Sequence, residues 1–305
     1  MFTLPPGIMQ APVTPFTKDF EVDYDTVEKL VNFHTETPGN TGILALYNKA
    51  EPHSLTIEER KKIAEVTIKA VDGRLPTIIH VGHPSTDVVV ELSKHAESIG
   101  ADGIVAITPY YWATTQDEIY AHFARVFSSV DIAVMAYNNP GGTEAGAVSP
   151  DVYLRLMERF PNFVGMKDVS FAMDTFTEYS RALQEARPGF SIMTGLEWLA
   201  GSVPVGNIGS FGSGGAVAPK LTYDLWDALQ EERWDDAYPL QLRVAELIRH
   251  IKYQYPSSVK VAMELMGRPV GPCRPPLPSG DEDTRRRMEH VLNEFNIPET
   301  EKYGW

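Results

Sequence analysis

Residues 103–140 read "GIVAITPYYWATTQDEIYAHFARVFSSVDIAVMAYNNP", and this stretch contains one complete copy of the unit that decides the fold. An apolar run at 103–108 is followed by an aromatic loop, a helical pattern at 116–129 and a second apolar run at 132–137. Runs that are apolar throughout, rather than alternating, suit a parallel sheet covered by helices. A strand, a helix and a strand within roughly 30–40 residues read as a βαβ crossover.

The unit recurs in both directions. Further candidate strands are "GIMQA" (7–11), "GILAL" (42–46), "PTIIHV" (76–81), "FVGMK" (163–167), "FSIMT" (190–194) and "GSFGS" (209–213). Helical patterns lie between them at 24–37, 56–71, 86–99, 150–159, 172–185, briefly near 196–202, and at 220–230. In 56–71, Thr56 is placed as N-cap with Glu59 completing a capping box, and Ile63, Val66 and Ala70 follow at helical spacing. Eight such units predict an α/β protein of the (β/α)₈ barrel type. A doubly wound sheet is the alternative, but "QAPVTPF" follows the first strand where a Gly-rich dinucleotide fingerprint would stand. Beyond 231 the pattern is helical, interrupted by the Pro-rich "RPVGPCRPPLPSG" (268–280). The expected division is a barrel over 1–230 and a helical extension over 231–305 packed on it.

The 305 residues, 43% of them hydrophobic, can bury a sizeable core. A formal charge of −14 argues against nucleic acid or an anionic membrane surface as partner, because both need a basic footprint. Cys273 stands alone, which precludes an intrachain disulfide and fits a reducing compartment. The opening "MFTLPPGIMQ" lacks a signal-peptide pattern, and no apolar run approaches the roughly 20 residues that span a bilayer. These features predict a cytoplasmic protein.

The sixth strand ends on Lys167, in "FVGMKD" (163–168). A lysine closing a buried strand either snorkels outward or is positioned for chemistry. In a barrel the C-terminal strand ends form the site, and there Lys167 would meet Tyr137 of the fifth strand and Tyr110–Tyr111 after the fourth. A neutral amine condenses with a ketone to an imine, whose protonated form is an electron sink for cleaving the neighbouring C–C bond. Neutrality near pH 7 requires a fall from about 10.4 toward roughly 7–8, which apolar surroundings favour. A phenol can move the protons. The alternative leaves Lys167 at the surface and Tyr137 as an ordinary core tyrosine.

The ordered series "APVTPF" (11–16), "ITPYY" (107–111), "YNNP" (137–140) and "GMKD" (165–168) resembles the dihydrodipicolinate synthase/N-acetylneuraminate lyase superfamily, over most of the chain up to "GPCRPPL" (271–277). The resemblance implies a (β/α)₈ barrel, usually a homotetramer built as a dimer of dimers, with no metal or organic cofactor. It implies aldol cleavage, condensation or dehydration of a 2-keto acid, pyruvate or a relative, with an aldehyde as the other partner. It makes Lys167 the imine-forming lysine, Tyr137 the general acid/base that also touches the carboxylate, and Tyr111 a residue reaching a neighbouring subunit's site. By position, Thr194, Gly195 and Phe211 would line the pocket, with Leu196, Glu197 and Trp198 close by.

The chain departs from the family pattern at three places. The usual Gly-[Ser/Thr]-[Ser/Thr]-Gly-Glu loop, which holds the keto-acid carboxylate, is here Tyr47-Asn48-Lys49-Ala50-Glu51. Asn48 and Lys49 are candidate replacements for carboxylate binding, and Lys49 is equally readable as solvated. Gly142 stands where the synthases place an arginine for a second carboxylate, which argues against dihydrodipicolinate synthesis. His80 occupies a normally small position. It is readable as a pocket histidine, as an acid/base, or with His53 and His83 as a metal site for a metal-dependent lyase. Tyr47, Trp112, Phe171 and Phe211 would make the mouth aromatic, which suits a bulky or aromatic aldehyde. A keto-acid-binding protein on an inherited barrel is the non-enzymatic alternative.

Overall fold

Apolar residues on both faces of most strands pack a closed sheet between its interior and an outer layer of helices in the computed structural model, which describes residues 2–305. Strands β1 (Gly7–Gln10), β2 (Asn40–Ala45), β3 (Thr77–His80), β4 (Gly103–Ile107), β5 (Ala133–Asn138), β6 (Phe163–Asp168), β7 (Ser191–Thr194) and β8 (Gly209–Gly212) pair in parallel in chain order, and β8 returns to β1. The predicted (β/α)₈ barrel is the fold. Met9, Leu44, Ile78, Val105, Met135, Met193 and Phe211 pack inside the barrel. Ile43, Ile79, Ile104, Val134, Met166 and Ile192 face the helical layer.

That layer is α1 (Tyr24–Glu36), α2 (Ile57–Val71), α3 (Thr86–Ser98), α4 (Gln116–Phe127), α5 (Pro150–Arg159), α6 (Met173–Ala186), α7 (Leu199–Ser202) and α8 (Pro219–Gln230). The capping box predicted for α2 is formed: the Glu59 amide donates to Thr56 Oγ1 at 3.1 Å and the Thr56 amide to Glu59 Oε2 at 2.8 Å. Thr115 and Glu118 form a second box at the start of α4. Helix α7 is a single turn, passing into a 3₁₀ turn at Val203–Val205 that ends on Gly206 at φ +102°. The chain continues through α9 (Trp234–Ile251), α10 (Ser257–Leu265), α11 (Glu282–Glu294) and α12 (Ile297–Thr300). Leu247, Ile248, Val259, Met263, Met288 and Val291 from these helices share a core with Leu30, Leu221 and Leu225 of α1 and α8.

One irregularity in the sheet decides where the chemistry falls. Phe163 faces the helices, so strict alternation along β6 would point Lys167 outward as well. The pairing with β5 slips, however: Val134 opposes Phe163 and Met135 opposes Gly165. The extra residue is a β-bulge, which inverts the alternation beyond it. Val164 faces the interior, Met166 faces the helices, and Lys167 points into the barrel.

Candidate active site

Lys167 and Tyr137 are direct cross-strand partners at the C-terminal ends of β6 and β5, and both are buried. The Lys167 ammonium nitrogen has no hydrogen-bond partner. It lies 2.9 Å from the centre of the Tyr47 ring, 4.8 Å from that of Tyr137 and 5.4 Å from that of Phe211. Burial holds its pKa well below the ordinary lysine value; Lys49 lowers it further, and Glu197 pulls the other way. Gly195 supplies the space for its side chain. A β-carbon there would lie 2.9 Å from Lys167 Cε and 3.2 Å from Nζ.

Tyr47 brings the second phenol. Its hydroxyl and that of Tyr137 are 2.7 Å apart, and burial pushes both pKa values upward, so both stay protonated. His80 completes this corner, its ring centre 6.3 Å from each phenol ring. It is buried, neither ring nitrogen meets a partner, and burial drives its pKa well below the usual imidazole value. His53 instead packs on Tyr110, ring centres 4.7 Å apart, and His83 Nδ1 accepts from the Ser85 amide at 3.0 Å. Among the described residues no group of three or more His, Cys, Asp or Glu side chains is placed to hold a metal ion.

The loop after β2 is fixed at both ends. Tyr47 opens a 3₁₀ turn at Asn48–Ala50, and Glu51 follows in the left-handed region at φ 55°. The Glu51 carboxylate accepts from the Arg274 amide at 2.8 Å and pairs with Lys260 Nζ at 2.6 Å, both partners coming from the last quarter of the chain. Asn48 is exposed at the mouth, whereas Lys49 is fully enclosed and donates to the Gly212 carbonyl. Thr194 spends its hydroxyl on the Leu196 carbonyl at 2.8 Å.

A cavity of about 200 Å³ opens beside this cluster, lined by Tyr47, Asn48, Tyr137, Asn139, Gly195 and Tyr255 among others, with Lys167 itself fully enclosed and not on its wall. Tyr255 comes from the turn between α9 and α10 and carried no signal in the sequence; its approach depends on how those helices pack. A larger cavity of about 470 Å³ lies beside it, against α6, α7 and α9, and shares Phe171 and Lys252 with the first. Its polar groups Asp168, Thr194, Ser202 and Gln241 are bonded within the protein, whereas the smaller cavity is walled by the two hydrogen-bonded phenols. Tyr111 and Trp112 stand apart, 70% and 67% exposed, packed edge to face on each other.

Residues 4–295 match the dihydrodipicolinate synthetase family. A 4-hydroxy-tetrahydrodipicolinate synthase of Clostridium novyi is 30% identical over 296 residues, 96% of this chain and 98% of that one. A probable 2-dehydro-3-deoxy-D-pentonate aldolase of Escherichia coli is 30% identical, covering 94% and 95% of the two chains. Among solved structures, a prophage protein of the dihydrodipicolinic acid synthase family from Escherichia coli K12, in complex with pyruvate, superposes with a TM-score of 0.91 at 28% identity over 96% and 99% of the two chains. With a barrel and motif series to match, the chain belongs to the dihydrodipicolinate synthetase family, whose named members here are lyases.

Proposed function

We propose that the protein is a Schiff-base-forming lyase of the aldolase type, acting on 4-hydroxy-2-oxo acids to release pyruvate and an aldehyde. The observation that carries the reading is a buried, unpartnered Lys167 amine beside two hydrogen-bonded phenols. The amine nitrogen adds to the ketone carbon, water leaves, and the imine takes a proton. The C3–C4 bond then breaks, its electron pair moving into the iminium as the C4 hydroxyl gives up its proton and departs as an aldehyde. Protonation of the enamine at C3 and hydrolysis of the imine release pyruvate and restore the amine. Tyr137 carries the protons, with Tyr47 bonded to it. Asn48 offers its amide to the keto-acid carboxylate, and Gly195 and Phe211 shape the floor.

Family resemblance and the relative bound to pyruvate support pyruvate as the keto acid. Gly142 and its surroundings argue against a synthase for a doubly charged product. A β-carbon at position 142 would strike the Asn139 side chain, which lines the cavity, so an amide stands where a guanidinium would pair a second carboxylate. The exposed Tyr111 and Trp112 suit the role the resemblance gives Tyr111, reaching the site of a neighbouring copy in a homotetramer. The test is borohydride reduction in the presence of pyruvate, followed by peptide mass analysis and a screen of pyruvate release from aromatic, sugar-derived and short-chain 4-hydroxy-2-oxo acids. Activity with no adduct on the Lys167 peptide would refute the reading.

A further inference from the structure

The loop after β2 buries a second lysine that the reaction above does not use. Lys49 is 0% exposed, and its ammonium is held by the Gly212 carbonyl of β8. Glu197 is equally enclosed. One carboxylate oxygen accepts from the Gly215 amide at 3.0 Å, and the other has no hydrogen-bond partner.

The two groups converge on one residue. A β-carbon on Gly212 would strike Glu197 Oε1, and the carbonyl of that same glycine receives Lys49. Gly212 directly follows Phe211, whose ring faces Lys167 Nζ at 5.4 Å. Glu197 lies two residues beyond Gly195, where a β-carbon would meet the Lys167 side chain. A buried lysine and a buried carboxyl therefore lie on the β7–β8 side of the reactive amine, enclosed as Lys167 itself is and, like it, not on the wall of the cavity of about 200 Å³.

We infer that Lys49 and Glu197 are positioning residues for the reaction, a buried lysine and a buried carboxyl that act on Lys167 through space without touching substrate. This rests on the reading of Lys167 as the imine-forming lysine. An enclosed lysine that served only to fill space could be replaced by an apolar side chain of similar volume at little cost. A second cation near a nucleophilic lysine has a chemical use, because like charge disfavours the protonated, non-nucleophilic amine.

The other titratable groups around Lys167 are three phenols, one imidazole and the carboxylate of Asp168. The phenols of Tyr47, Tyr137 and Tyr255 are kept protonated by burial, and burial keeps His80 neutral. Asp168 is bonded to Asn138 at 2.6 Å and to Ser170 at 2.7 Å. Lys49 and Glu197 are the two titratable neighbours whose charges act on Lys167, in opposite directions; burial pushes the Glu197 carboxyl up, against the Gly215 amide and Lys49, which pull it down. Lys49 itself is brought down to about 8, burial outweighing the pull of Glu197.

The experiment measures, as a function of pH, the initial rate at which pyruvate and borohydride modify Lys167 in the wild type, Lys49→Met, Lys49→Arg and Glu197→Gln. The acid limb should move up by roughly one pH unit in Lys49→Met, move down in Glu197→Gln, and stay in place in Lys49→Arg. Limbs that stay put in both Lys49→Met and Glu197→Gln, or move the same way, overturn the inference while leaving the imine intact. If Lys49→Met does not fold, Glu197→Gln decides alone: a downward shift supports the inference and an unchanged limb overturns it. A wild type that forms no adduct removes the imine reading, and this inference with it.

Discussion

The hydroxyls of Tyr47, in the loop after β2, and Tyr137, on β5, meet at 2.7 Å, and both rings face Lys167 Nζ. One phenol can thus exchange its proton through the other without water entering the barrel. Tyr137→Phe should lower kcat by about 10²–10⁴-fold, the usual worth of general acid–base catalysis. Tyr47→Phe keeps the ring over the amine and removes only the link, so its loss should be smaller, about tenfold. Pyruvate proton exchange in heavy water, followed by NMR, checks both; equal exchange rates in wild type and Tyr137→Phe would refute the assignment.

Gly195 is required by contact rather than by backbone angle. A methyl group there would press on Val169 and on Lys167 Cε and Nζ. Gly195→Ala should destabilise the fold by about 1–3 kcal/mol, as overpacking does. It should also slow imine formation more than tenfold by displacing the amine. Thermal melts and single-turnover trapping read the two effects separately.

Lys167 works against stability. Its pKa is lowered by burial in the folded chain, while the unfolded chain keeps the ordinary value near 10.4. Between those two values the unfolded state binds the extra proton, so stability should rise with pH through this window. Lys167→Met should abolish turnover, raise the melting temperature at pH 7 and flatten that rise. A melting temperature unchanged or lower at pH 7 would contradict it.

Glu51 and Lys260 form a buried pair at 2.6 Å. Removing one partner should be costly, about 3–5 kcal/mol for Glu51→Ala, because Lys260 is left as an uncompensated buried cation. The double variant Glu51→Leu with Lys260→Met should recover most of the loss in denaturant melts. Additive losses in the double variant would show that the two side chains act independently.

The barrel was legible from sequence because most strands are apolar on both faces and some helices are capped by local chemistry, as at Thr56. Lys167 and Tyr137 were reachable because strand ends converge in any such barrel, and Gly195 through the family resemblance. The bulge in β6 was not, since "FVGMKD" contains nothing that distinguishes a slipped register from a regular one. Nor was Tyr255, whose place at the mouth depends on helix packing across the C-terminal region. The role of Glu51 follows the same rule. It stands where a family loop binds substrate, yet its carboxylate is spent on Lys260 and Arg274, partners more than 200 residues away in sequence.

The slipped register between β5 and β6 makes the aim of Lys167 a question of parity. With an odd residue inserted the amine looks inward; with one fewer it would look at the helices, its identity unchanged. The length of the segment from Phe163 to Lys167 is therefore as strict a requirement as the lysine itself. Insertions or deletions there should be tolerated only in pairs.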